Sequence, residues 1–139
     1  MAFVRELRTE MKTQFELKRT ISASPKEIYD AWLSSEGHTT MTGGKATCSP
    51  EEGAAFTAWH GYITGRTVKL VPNEEIVQRW RTSEFKEEDA DSELIVRLAP
   101  VDGGSELTLI HNEIPEGQPD YEQGWIDHYL NPMLEHFGK

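Results

Sequence analysis

Residues 119–137 constrain the fold more than any other stretch of the chain. Wound at ~100° per residue, Tyr121, Trp125, Tyr129, Met133, Ile126, Phe137, Leu130 and Leu134 follow one another around about half of a helical cylinder. Asp120, Asp127, Asn131 and Glu135 take the far side. A helix lying on a flat surface shows a narrower apolar stripe. An apolar half-cylinder needs a concave seat, and a curved sheet provides one. Pro132 has no N–H to offer the carbonyl of His128, so the helix is expected to bend there.

The rest of the chain reads as that sheet. Residues 14–21 alternate, with Phe15, Leu17 and Ile21 against Glu16, Lys18 and Thr20, the pattern of a half-buried strand. Ser24, Pro25 and Glu27 then write a capping box with proline at the first helical position, opening a helix with Ile28, Ala31 and Trp32 on one face. Gly37, Gly43 and Gly44 punctuate a short helix or loop, and no comparable cap follows until Pro119. Residues 54–59 and 61–71 read as strands joined at His60 and Gly61. Residues 75–82, 93–99 and 105–111 follow, with turns at Pro72-Asn73 and Asp102-Gly103-Gly104. The acidic stretch 84–91 reads as a solvated loop, with docking of a basic partner surface as its sharper reading. The order predicts an α+β fold: a curved antiparallel sheet gripping a long C-terminal helix, with one or two short helices after the first strand. Residues 1–13 are expected to be an N-terminal extension, and 14–139 a single domain.

Charge narrows the function. Asp and Glu number 24 against 14 Lys and Arg, a formal net charge of −10. Nucleic acid and anionic lipid repel such a chain, so neither nucleic acid nor membrane is an expected partner. No apolar run reaches the ~18 residues of a membrane span, and the first ten residues hold no signal-peptide stretch. The single cysteine, Cys48, excludes an internal disulfide, and the expected compartment is the cytoplasm. The five histidines form no His-x-x-x-His pair and Cys48 has no cysteine partner. No metal and no cofactor is expected. Serine-nucleophile and phosphate-loop motifs are absent as well.

Several motifs in fixed order resemble the START-like, helix-grip superfamily, and within it the C-terminal domain of the activators of the ninety-kilodalton heat-shock-protein ATPase. They are Ser24-Pro25-Lys26-Glu27-Ile28-Tyr29, Gly61-Tyr62-Ile63-Thr64-Gly65, Leu70-Val71-Pro72, Glu75-Ile76-Val77-Gln78-Arg79-Trp80-Arg81, Ile114-Pro115 and Gly124-Trp125. The resemblance spans residues 14–137. It implies a chaperone as one partner. Full-length activators also carry a separate N-terminal domain that docks on the chaperone, for which 139 residues leave no room. The resemblance therefore implies the fold more strongly than the co-chaperone activity. Other members of the superfamily bind apolar ligands between sheet and long helix.

The expected function is non-enzymatic binding, of an apolar small molecule in such a cavity or of a chaperone. The expected ligand-binding residues are Trp32, Phe56, Trp80, Leu109, His111, Trp125 and Tyr129, which share an inward parity. Gly65, Ala54 and Ala55 remove bulk where it could have filled that space. His111 continues the parity of Leu107 and Leu109. It is either a ligand-orienting or acid–base group, or a core histidine bonded to backbone or to Tyr129. Burial is expected to keep it neutral at pH 7. The alternative is an enzyme of the cyclase or hydrolase type using the same cavity, with His111 polarising a carbonyl and Tyr129 assisting. That chemistry needs at least two polar groups converging on one point.

Overall fold

The capping box forms as its residue types require. Ser24 Oγ accepts the Glu27 N–H at 3.1 Å, and Glu27 Oε1 accepts the Ser24 N–H at 2.9 Å. Two orphan donors of the first turn are thereby satisfied, and α1 runs Pro25–Trp32 with Ile28, Tyr29 and Trp32 buried. The computed structural model describes residues 13–138. Apart from Thr13, whose carbonyl accepts the Ile114 N–H at 3.0 Å, the expected extension 1–13 lies outside the described residues.

A second cap follows at once, against expectation. Ser34 Oγ accepts the Gly37 N–H at 3.0 Å, opening α2 over Ser35–Thr42. Gly43 closes it at φ +88°, a left-handed position that glycine takes without penalty.

The strands are β1 Phe15–Ile21, β2 Ala55–Ala58, β3 Ile63–Val71, β4 Glu75–Thr82, β5 Ser92–Val101 and β6 Gly104–Asn112. Every neighbour is antiparallel, in the order β1-β6-β5-β4-β3-β2. The period of two places Ile76, Gln78, Trp80 and Thr82 of β4 inside, with Ser105, Leu107, Leu109 and His111 of β6. The space freed at Gly65 is not a void. A Cβ there would lie 1.9 Å from the carbonyl oxygen of Arg79 and 2.6 Å from the Phe56 ring. Gly65 lets two strands and a ring approach closely, which corrects its reading as cavity space.

The 84–91 loop is anchored rather than wholly solvated. Phe85 is buried against Trp80, and Arg81 donates to the carbonyls of Lys86 and Asp89 and to Asp91 Oδ1.

The terminal helix, residues 121–137, has three segments: α3 Tyr121–Trp125, a π turn Ile126–Leu130, and α4 Asn131–Phe137. Asp120 caps it by accepting the Gln123 N–H at 3.1 Å. The break expected at Pro132 takes the form of this wide turn. The Asn131 N–H reaches back to the Ile126 carbonyl, five residues away, just before the residue that has no N–H to give. Tyr121, Trp125, Tyr129, Leu130 and Met133 are buried on the sheet side.

Candidate functional site: an aromatic cavity under the terminal helix

β4 and the terminal helix bring their largest side chains face to face. Trp80 lies 5.6 Å from Trp125 and 5.1 Å from Tyr121, ring centre to ring centre, and Trp125 lies 4.6 Å from Tyr129. Rings of this size do not close the space completely. A cavity of about 300 Å³ remains, lined by Trp59, Tyr62, Ile63, Trp80, Tyr121, Gly124, Trp125, His128 and Tyr129. Trp80, Tyr121, Trp125 and Tyr129 are buried, whereas Tyr62 and His128 are exposed and Trp59 is half-buried. The first four form the floor and the last three the solvent end.

Of the seven residues expected to line it, Trp80, Trp125 and Tyr129 do so. Trp32, Phe56, Leu109 and His111 do not. They are buried in the closed core behind the wall, with Trp32 against Trp125 and Tyr129 and Phe56 against Gly65. Parity places a side chain on a face of the sheet; it does not say where along that face the packing stays open. The lining also includes Trp59, Tyr62, Ile63, Tyr121, Gly124 and His128, which parity did not single out. Gly124 carried a readable signal, being a glycine inside a helix with no cap to serve.

His111 is fully buried, and both ring nitrogens are engaged. Trp125 Nε1–H donates to Nδ1 at 3.0 Å. Nδ1 is therefore the bare nitrogen, and Nε2–H donates to Ser92 Oγ at 2.8 Å. Ser92 passes its own hydroxyl proton to the Trp80 carbonyl at 2.7 Å. Loss of hydration pushes the imidazole down to about 3, so it is neutral at pH 7.

Tyr129 turns away from His111. Its hydroxyl donates to His38 Nε2 at 2.7 Å, while His38 Nδ1–H donates to the Trp32 carbonyl at 2.8 Å. The two buried histidines thus hold opposite tautomers, each set by its partners. Burial lowers the pKa of His38 and raises that of Tyr129. Cys48 Sγ lies 3.7 Å from His38 Nδ1, but that nitrogen already carries the proton given to Trp32, so it cannot act as the base of a thiol nucleophile. Burial pushes the Cys48 thiol up to about 11.

Three polar side chains of the floor, Trp125, Tyr129 and Tyr121, are therefore tied into the core. Trp125 serves His111, Tyr129 serves His38, and the Tyr121 hydroxyl donates to Gln118 Oε1 at 2.8 Å and bonds Thr82. Gln78 bonds Thr67 and does not line the cavity. No lining residue is a carboxylate. Among the described residues, no group of three or more His, Cys, Asp or Glu side chains could hold a metal ion, and no helix is long and apolar enough to cross a membrane.

A six-stranded curved sheet, two short helices after its first strand and a terminal helix laid over an aromatic cavity define a START-like helix-grip domain. The family model described as "Activator of Hsp90 ATPase homolog 1-like protein" matches residues 22–138, and the chain belongs to that family. The human "Activator of 90 kDa heat shock protein ATPase homolog 1" is 30% identical over 125 residues, covering 88% of this chain and 36% of its own length. The chain thus spans about a third of that relative. Among solved structures, an HSP90 activator from Plasmodium falciparum superposes with a TM-score of 0.80 at 22% identity, covering 91% of this chain and 97% of its own. The Aha1 dimer from Colwellia psychrerythraea gives a TM-score of 0.72 at 17% identity, covering 91% and 94%.

Proposed function

We propose that the chain is a binding domain without catalysis of its own, and that its cavity holds a small, flat, apolar molecule. The observation that supports this reading is the lining: six aromatic side chains around about 300 Å³, with no carboxylate among them. That volume lies at the lower end of the ~300–1,000 Å³ range of small-molecule sites, which favours a ligand of two or three fused rings. Ring faces attract flat apolar surfaces. Catalysis of the cyclase or hydrolase type would need two polar groups converging in the cavity. The Trp125, Tyr129 and Tyr121 polar atoms are engaged elsewhere, and His111 does not line the cavity.

Gly124 allows a direct test. A Cβ built there meets nothing within 4 Å, so Gly124→Leu starts from open space at the cavity lining. Native mass spectrometry of freshly purified protein is expected to show added mass on the wild type that is lost in Gly124→Leu, with thermal stability no lower than that of the wild type. Equal binding of naphthalene by both forms would overturn the cavity reading.

A second reading is supported by the family itself: a chaperone ATPase of the ninety-kilodalton heat-shock class is the partner. Because the chain spans 36% of the human relative, its stimulation of that ATPase is expected to be weaker than that of a full-length activator. A steady-state ATPase assay comparing the two checks this, and equal stimulation would show that this domain carries the activity.

A further inference from the structure

His128 differs from the floor residues in what its polar atoms do. Trp125, Tyr129 and Tyr121 spend theirs on the core. His128 lines the cavity at its solvent end and is exposed. Among the described residues, neither of its ring nitrogens has a hydrogen-bond partner. What holds the imidazole is the Trp59 ring, which it meets edge-on at 5.3 Å between centres. Trp59 lines the cavity too, so this contact keeps the imidazole at the mouth.

The helix directs it the same way. Helical side chains lean toward the N-terminus, over the residue four places back. Four places before His128 stands Gly124, also in the lining, where a Cβ would meet nothing within 4 Å. A side chain at 124 would stand between the imidazole and the cavity. With glycine there, the way between them is open.

Charge and hydrogen-bonding capacity narrow what the ring can hold. A neutral imidazole offers one N–H and one bare nitrogen. The other exposed polar side chain of the lining, Tyr62, donates its hydroxyl to Glu84 Oε2 at 3.5 Å. Glu84 and Asp127, both exposed, add negative charge beside Tyr62 and His128 on a chain of formal net charge −10. An aryl carboxylate is repelled by such surroundings. A phenolic hydroxyl carries no charge and pairs with either ring nitrogen, donating to the bare one or accepting from the other.

We propose that His128 is the specificity-determining residue of the cavity, and that it selects flat hydroxyarenes. This rests on the cavity reading above. The aromatic body lies against the floor, and the hydroxyl meets the imidazole at the solvent end. Arenes without a hydroxyl enter the same space and leave the imidazole to water.

The test uses the full chain and three probes of like shape, naphthalene, 2-naphthol and 2-naphthoate, titrated at pH 8 into wild type and His128→Phe. Phenylalanine keeps a ring edge for Trp59 and removes both nitrogens. The wild type is expected to bind 2-naphthol roughly three- to tenfold more tightly than naphthalene, the ratio that one net hydrogen bond supplies. It is expected to bind 2-naphthoate more weakly than 2-naphthol. In His128→Phe the preference for 2-naphthol disappears while naphthalene affinity is retained. In a long-range ¹H–¹⁵N spectrum of the wild type, the His128 ring nitrogens move further with 2-naphthol than with naphthalene. An undiminished preference in His128→Phe overturns the role of His128 and leaves the cavity reading standing. Tighter binding of 2-naphthoate than of 2-naphthol overturns the hydroxyarene class. Failure of all three probes to bind the wild type overturns both the proposal and the cavity reading. Should His128→Phe fail to fold, the wild-type ring nitrogens decide: moved no further by 2-naphthol than by naphthalene, they overturn the proposal.

Discussion

The indole of Trp125 and the imidazole of His111 are joined by a hydrogen bond of 3.0 Å that crosses from the terminal helix to β6. The bond fixes which histidine nitrogen is bare, and through Ser92 it continues to the backbone of β4. One side chain of the cavity floor is thus tied to the carbonyl of Trp80, another floor residue, by way of two groups that never meet the cavity.

Replacing Trp125 is therefore expected to disturb more than apolar contact. Trp125→Ala should lose about 3–5 kcal/mol of stability, as for other large buried aromatics. Trp125→Phe keeps a ring but leaves His111 Nδ1 without its donor, and should lose about 1–3 kcal/mol. Chemical denaturation checks both, and a phenylalanine variant as stable as wild type would show that the hydrogen bond contributes nothing.

Acid should weaken the fold above the carboxylate range. The folded-state pKa of His111 is depressed to about 3, and that of His38 is also lowered. Below the unfolded value of ~6.5 the unfolded chain binds protons that the native state does not. Stability is present above that value and is lost as pH falls toward the folded value. His111 contributes a slope of about 1.4 kcal/mol per pH unit in that window, and His38 acts in the same direction. Urea denaturation at pH 7.5 and pH 5 is expected to show a fall of about 2 kcal/mol from His111 alone. A flat profile would mean that one of the two imidazoles finds a counter-charge.

Cys48 should be a slow thiol. With its pKa raised from 9.0 to about 11, its thiolate fraction at neutral pH falls by about a hundredfold. Alkylation by iodoacetamide at pH 7.5 is expected to lag far behind that of glutathione and to accelerate up to pH 10. Modification as fast as glutathione's would point to an activating base.

Gly124 weakens α3 for no steric reason. Gly124→Ala is expected to stabilise the chain by about 0.5–1 kcal/mol, the backbone-entropy difference between the two residues within a helix. A thermal melt reads this directly, and destabilisation would mean that the glycine serves a motion of the helix.

Local chemistry made most of the fold legible. Alternation over residues 75–82 and 105–111, the Ser24–Glu27 box and the broad apolar arc of 119–137 each reflect a period or a cap set within a few residues. What could not be read is what depends on distance. His38 and Tyr129 bond across 91 positions of chain, and no local pattern ties them. Ser34 caps α2 without a box, because Gly37 at its third position offers no side chain to complete one. The cavity divided the same way: Trp80, Trp125 and Tyr129 follow from parity, whereas Trp59 lines it through three successive left-handed residues that no alternation rule foresees. The π turn at 126–130 was written in Pro132, although the proline announces a break without saying how the backbone resolves it.

That wide turn divides one rod into two levers. The leading lever, α3, carries Tyr121, Gly124 and Trp125 over the cavity, while the trailing one, α4, leans on α2 and β1. A π turn is a ladder with a loosened rung, where rotation of one half need not drag the other. Substitutions at 121–125 can reshape the chamber while the trailing lever keeps its grip on the sheet, so the shape of the cavity can vary without rebuilding the clasp.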